Sequence, residues 1–339
     1  MMTEKHANVA LFVPHLGCPH DCRFCDQRTI AGVTSPTTHA DVTAACERAM
    51  ATLGGDVKAQ IAFFGGSFTA IPREEMCALL EAAQPFLKTG RFDGIRISTR
   101  PDAVDDEVLT VLTAYGVTAV ELGAQSMDDR VLRAVNRGHT AADTVTAATL
   151  IKAHGLSLGL QMMTGLPCDT DEGTLATAKA LAALKPDTMR IYPTVVLEGT
   201  VLAEDFKAGR YQPPTLEQTV ALCAKLLTFF EREQRIPVIR LGLHDGEELK
   251  NKLLGGGYHP ALRELCEGQM YVNTALSVLT HMGPEATKRE VLLRVHPKAL
   301  SKMIGQNKRN IAHLKDSGFS VRIQSDETVP LWAVEGEYL

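Results

Sequence analysis

The sequence has no long apolar run, no low-complexity linker and no internal repeat beyond an alternation of strand-like and helix-like text. No stretch approaches the roughly 18 apolar residues that a membrane span needs. The opening apolar run, Val9–Val13, ends at Pro14 and is too short for a signal-peptide core. A soluble, cytoplasmic protein with no membrane partner is expected. In that compartment eight cysteines do not form a disulfide framework, because thiols are kept reduced. Five of them stand singly. Cys46, Cys77, Cys223 and Cys266 sit beside Ala and Leu in helix-like text and read as small buried hydrophobes, and Cys168 falls in a loop.

What is present is an ordinary globular composition over 339 residues, 45% apolar and 22% charged, enough for one large α/β domain and a small one. Strands are expected at Asn8–Val13, Gln60–Phe64, Gly94–Ser98, Thr118–Leu122, Ser157–Met162 and Thr188–Tyr192, with an extra one at Pro237–Leu241. Helix-like segments lie between them, at Ala40–Leu53, Arg73–Leu87, Asp105–Tyr115, Ala141–His154 and Asp171–Leu184. Thr140, Thr170 and Asp171 supply cap chemistry. Repeated strand and helix imply a parallel sheet with right-handed crossovers, an open or closed β/α barrel whose site lies at the C-terminal strand ends. The helix Thr215–Arg232 buries one face, with Phe229 and Phe230 in the core.

The net charge is −5 but unevenly spread: Lys288–Arg322 holds nine Lys/Arg against Glu290 and Asp316. This tail reads as strand (Arg289–Val295), helix (Lys298–Ile304), helix (Lys308–Lys315) and a hairpin of Phe319–Ile323 with Leu331–Val334. The expected organisation is therefore a body over 1–284 and a small basic domain over 285–339.

Three cysteines fall within eight residues, Cys18-Pro-His-Asp-Cys22-Arg-Phe-Cys25, in a loop just after the first strand. Three thiolates can bind three irons of a 4Fe–4S cubane and leave the fourth iron open for a small chelating molecule. Phe24 would place an apolar ring beside such a group. On these residues alone a structural zinc site, with His15 or His20 as fourth ligand, is the rival. A thioredoxin-like pair fits less well, because the first spacing is three. The strands that follow all end in glycine-rich or polar text: Gly65-Gly66-Ser67, Ser98-Thr99-Arg100-Pro101, Glu121 to Ser126, Gln161 with Gly165-Leu166-Pro167, and Tyr192-Pro193-Thr194. Glycines there let backbone approach a ligand closely.

CPHDCRFC, FFGGSFTAIP, STRPD, VELGAQSMDDRVLRAVNRGHT, MMTGLPCDT, RIYPTVVLEGTVL and GGGYHPALRELCEG, in this order from about Asn8 to Tyr271, resemble the Elongator catalytic-subunit branch of the radical S-adenosylmethionine (SAM) proteins. Oxygen-independent coproporphyrinogen oxidase is a more distant likeness. The resemblance implies a partial (β/α)6 barrel, a 4Fe–4S cluster on Cys18, Cys22 and Cys25, and one-electron cleavage of SAM to a 5′-deoxyadenosyl radical. It also implies SAM contacts at Gly65, Gly66 and Ser67 (amino group), at Gln125, Arg137 and Gln161 (ribose or carboxylate), and at Arg100. For Arg137 the residues themselves suggest only a helix-end arginine complementing the helix dipole. Elongator-type proteins continue into an acetyltransferase domain, whereas this sequence stops at Leu339, so acetyl-CoA chemistry is not carried over. No second cysteine group is available for a second cluster.

In the tail, strand–helix–loop–helix–strand–strand is the order of a KH module, in which a Gly-x-x-Gly loop clamps single-stranded RNA. Here Gly305-Gln306-Asn307-Lys308 occupies the loop, with Lys308 replacing the second glycine. Lys298, Lys302, Lys308, Arg309 and Lys315 are candidate RNA contacts; a solvated structural cap is the equal alternative. Gly255-Gly256-Gly257-Tyr258-His259-Pro260 reads as a mobile lid, with Tyr258 or His259 touching substrate. Tyr192, Tyr258 and His259 are the candidate catalytic residues. The leading reading is a radical SAM enzyme, transferase-like, that modifies RNA, in particular a tRNA base, and takes electrons from a flavodoxin or ferredoxin. The alternatives are radical chemistry on a small molecule such as a porphyrin or cofactor precursor, and a non-catalytic cluster or haem carrier.

Overall fold

The computed structural model describes residues 6–13, 22–26, 35–54 and 57–339. Cys18, His15 and His20 lie outside them. The chain forms two compact units, residues 1–214 with 235–256, and residues 215–234 with 257–339.

The first unit is built on strands β1 (His6–Val13), β2 (Lys58–Gly65), β3 (Phe92–Thr99), β4 (Val117–Gln125), β5 (Ser157–Thr164), β6 (Thr188–Pro193) and β8 (Val238–Leu241). A short β7 (Val195–Leu197) pairs separately. The seven form one all-parallel sheet in the order β1-β2-β3-β4-β5-β6-β8, a half-barrel in which β1 and β8 are the edges. The strand alternation explains the layering. Ile61, Phe63, Ile97, Leu122, Leu160 and Ile191 are fully buried on the face covered by helices. Such side chains each contribute about 1.5–3 kcal/mol on burial. The other face carries Gln60, Arg96, Glu121, Gln161 and Arg190, so a strand that alternates in sequence gives an apolar wall outside and a polar wall inside. The helices begin where hydroxyls can take up free N–H groups: Thr38 with Asp41 and Thr140 with Asp143 form capping boxes, and Thr170 accepts from the Gly173 amide. The extra strand at Pro237–Leu241 is present as β8, at the open edge.

In the second unit, helix Leu216–Leu227 and helix Leu262–His281 accompany a three-stranded sheet of β10 (Val291–Val295), β11 (Val321–Ser325) and β12 (Glu335–Tyr338). Phe230 is fully buried, and the thiols of Cys223 and Cys266 meet between the two helices, both fully buried. The sheet corrects one expectation. There is no hairpin in the tail: β10 lies in the centre, parallel to β11 and antiparallel to β12. The reason is burial. β10 is apolar on both faces and takes the middle, while β11 and β12 each keep an exposed side and suit the edges. Residues 331–334 are not a strand either. Trp332 adopts φ 72°, stacks on Tyr271 at 5.2 Å between ring centres, and donates its amide to the Tyr271 hydroxyl at 2.9 Å. That anchor makes a turn, and the strand starts three residues later.

The glycine lid is a second correction. Leu253–Gly256 is a strand, β9, paired antiparallel with β7. A Cβ on Gly256 would stand 2.9 Å from the Thr194 carbonyl oxygen, and one on Gly257 2.0 Å from the Thr219 hydroxyl. The glycines answer to close packing and pairing, which a free lid would lack.

Candidate active site

The C-terminal ends of β1 to β5 bring most of the motif residues together. Cys22 and Cys25 share one tight turn, in which the Cys25 amide donates to the Cys22 carbonyl at 2.9 Å. The turn is tied down on both sides: the Arg23 amide donates to Val135 O (3.1 Å), its carbonyl accepts from the Leu202 amide (2.8 Å), and its guanidinium pairs with Asp205. Asp205 also takes Arg210 at 2.8 Å, and Asp26 takes Lys252 at 3.1 Å. Phe24 and Tyr192 both pack on the apolar cluster of Val131, Val135, Met163 and Leu166. Tyr192 is thereby placed at the cysteine turn, whereas Tyr258 and His259 belong to the second unit. There His259 Nδ1 accepts from the Ala261 amide at 3.1 Å, at the start of helix Leu262–His281.

Arg137 is the link between the turn and the sheet. Its Nη1 donates to Cys22 Sγ at 3.5 Å and its Nη2 to the Gly123 carbonyl at 2.8 Å. A Cβ at 123 would meet Arg137 Nη2 at 2.7 Å, so any side chain there would push the guanidinium off this position. Beyond its 2.9 Å bonds to both oxygens of Asp102, the fully buried Arg100 donates Nη2 to the Arg137 carbonyl at 2.8 Å. Burial alone would raise the Asp102 carboxyl, but the Arg100 bonds and charge hold it below the usual range. Gln161 Nε2 donates to Gln125 Oε1 at 3.3 Å, and Gln125 is held at φ 64°. Ser67 Oγ lies 2.7 Å from Thr99 Oγ1 and accepts from the Arg100 amide at 3.2 Å. Gly65 needs its positive φ of 104°, since a Cβ would approach the Val13 carbonyl oxygen to 2.9 Å, while the Gly66 amide donates to that same oxygen at 2.8 Å. His139, buried next to Arg137, has its pKa pushed down to about 4 by burial and by that guanidinium, and its Nε2 lies 3.1 Å from the Ala124 carbonyl. It is neutral at pH 7.

Sequence reasoning missed the inner-face ion cluster. Arg96 Nη1 lies 3.0 Å from Glu121, and Arg190 Nε and Nη2 lie 2.5 and 2.9 Å from the same carboxylate. Period-two alternation points each of Arg96, Glu121 and Arg190 inward on its own strand, but only the sheet register brings the three together.

The fold and site define a class of parallel α/β half-barrel proteins with a cysteine turn over the C-terminal edge of the sheet. Residues 12–181 match the Radical SAM superfamily and residues 186–272 its C-terminal domain, and the chain belongs to that superfamily, a family of enzymes that use a 4Fe–4S cluster and SAM. Among its relatives is tRNA uridine(34) acetyltransferase of Dehalococcoides mccartyi, 34% identical over 166 residues, which are 48% of this chain and 36% of that protein. Human Elongator complex protein 3 is 32% identical over 165 residues, 45% of this chain and 30% of that protein. The chain thus spans about a third of the length of these two relatives. The solved structure of the archaeal Methanocaldococcus infernus Elp3 with an N-terminal deletion shares the fold, with a TM-score of 0.61, 22% identity, and coverage of 79% of this chain and 63% of that one. Among the described residues no helix is long and apolar enough to cross a membrane.

The described residues fit the family's cofactors. Cys22 and Cys25 stand together on one turn, a guanidinium already donates to the Cys22 sulfur, and Gly65 and Gly123 leave the strand ends bare of side chains.

Proposed function

We propose that this protein binds a 4Fe–4S cluster on Cys18, Cys22 and Cys25, cleaves SAM to a 5′-deoxyadenosyl radical, and uses it to modify RNA, in particular a tRNA base. The observation that carries the reading is the bond from Arg137 to Cys22 Sγ, which joins the cysteine turn to the row of strand ends at Gly65, Ser67, Arg100, Gln125 and Gln161. The bound cofactors would supply the radical. The chain's own residues would do the rest. Gly65, Gly66 and Ser67 would receive the SAM amino group, and Gln125, Gln161, Arg100 and Arg137 its ribose or carboxylate. Phe24 and Tyr192, on their shared apolar cluster, would keep water from the radical's path, and a flavodoxin or ferredoxin would deliver the electron.

Support for RNA comes from the relatives and from the tail. Lys298, Lys308, Arg309 and Lys315 are exposed. Asn307 and Lys308 hold φ of 51° and 60°, so Lys308 takes the left-handed backbone that a second loop glycine would favour. Asn310 Nδ2 fixes this loop by donating to the carbonyls of Lys302 (2.8 Å) and Gly268 (3.3 Å). Lys302 is engaged with Glu267 at 2.7 Å and would contribute less. The region from residue 285 would act as the RNA grip. The test is nucleoside mass spectrometry of tRNA and rRNA from a deletion strain, paired with 5′-deoxyadenosine release by the reduced, reconstituted protein. A missing nucleoside supports the reading. Identical profiles with intact SAM cleavage turn it toward small molecules, and no SAM cleavage with any candidate toward a carrier.

A further inference from the structure

Two guanidiniums on the inner face share one carboxylate. Arg96 and Arg190 both close on Glu121, whose side chain is 5% exposed, while theirs are 13% and 14% exposed. The trio holds two guanidiniums against one carboxylate on the inner face of the half-barrel. Arg240 stands beside Arg190 as its partner in the β6–β8 ladder, its Nε donating to the Gly242 carbonyl at 2.9 Å. Arg190 is also preorganised: its guanidinium lies over the Phe64 ring, 5.1 Å from the centroid. Its level in the barrel matters most. Arg190 is the ladder partner of Gln161, and Gln161 of Gly123, the residue that holds Arg137. The surplus charge therefore stands one strand from the row of strand ends where the radical would be made.

We propose that Arg96, Arg190 and Arg240 form an oxyanion pocket on the inner face, which binds a phosphate ester or carboxylate of the substrate beside the radical-generating edge. Glu121 is a placeholder in this arrangement: it orients Arg96 and Arg190 and competes with the incoming anion for them. Only the naming of the anion as substrate rests on the proposed function; binding of the anion does not.

The experiment is calorimetric titration of the full, cluster-reconstituted chain at low ionic strength with inorganic phosphate and, separately, malonate, with and without saturating SAM. One saturable site that persists with SAM is expected, and the better of the two anions tells phosphate from carboxylate. Arg190→Gln weakens it at least tenfold. Glu121→Gln tightens it several-fold, a gain that a misfolded or merely structural cluster would not give. Absence of a saturable site, its loss when SAM is bound, or unchanged affinity in Glu121→Gln overturns the pocket. Loss of SAM cleavage with anion binding intact overturns the proposed activity and leaves the pocket standing.

Discussion

The two units carry their candidate chemistry in opposite ways. In the half-barrel the residues of interest come from separate strand ends, Ser67, Arg100, Gln125, Gln161 and Tyr192, and meet only because the parallel sheet lines those ends up. In the tail the candidate contacts are nearly contiguous, on the turn Pro297–Ala299, the loop Gly305–Lys308 and the two helices that loop joins. A site assembled from distant strands should fail as a unit when one support is removed. A contiguous grip should lose affinity in increments, roughly one phosphate contact at a time.

The sharpest break should come at Cys22. In Cys22→Ala the reconstituted protein is expected to lose its iron and its cluster absorbance and all SAM cleavage, while RNA affinity stays within a factor of two. A loss of RNA binding in step with iron would end the comparison. Arg137→Gln comes next. Groups that support ligating residues are typically worth 10–100-fold, so SAM cleavage should fall by about that factor with iron content kept. Equal loss of iron would make Arg137 a structural brace instead. In the tail, Lys308→Glu with Arg309→Glu should weaken tRNA binding and lower its salt dependence by about two phosphate contacts. SAM affinity should be untouched, and an unchanged salt slope would remove these side chains from the grip.

What could be read from the sequence follows the same division. Strands and helices of the barrel were legible because their periodicity is enforced by burial of one face, and the glycine and polar strand ends by the need for a close backbone. The ion cluster was not, because Arg96, Glu121 and Arg190 stand 25 and 69 residues apart and only the sheet register makes them neighbours. In the tail the element order was legible, but the pairing was not. Which of three short strands takes the centre depends on relative burial, and the turn at residues 331–334 depends on a Trp332–Tyr271 stack across 61 residues. The bond from Arg137 to Cys22, 115 residues apart, was equally hidden.

His139 offers a test within the barrel that needs no ligand. Its folded pKa of about 4 lies below the ordinary 6.5. The stability this histidine leaves intact at pH 7 should decline as pH falls below about 6.5, because the unfolded chain gains a proton that the folded one refuses. The decline should stop near pH 4, after at most about 3 kcal/mol. His139→Asn should flatten the melting temperature over that window relative to the parent. An identical pH profile would mean that the imidazole is not held neutral against Arg137.

The smallest effect is the most discriminating for the tail. Lys308 holds φ 60° and ψ 24°, a conformation that costs a side-chain-bearing residue about 1–2 kcal/mol and a glycine little. Restoring a glycine, Lys308→Gly, should therefore relieve strain but also enlarge the freedom of the unfolded chain, for a net gain of up to about 1 kcal/mol. If the lysine were only part of a solvated cap, that gain would come without loss elsewhere. If the loop grips RNA, the more stable variant should bind tRNA more weakly, with a salt slope lower by about one phosphate contact. Stability and affinity would then move in opposite directions at one residue, as expected when a strained backbone is kept for the charge it presents. A denaturation midpoint and a salt titration on the same preparation decide between them.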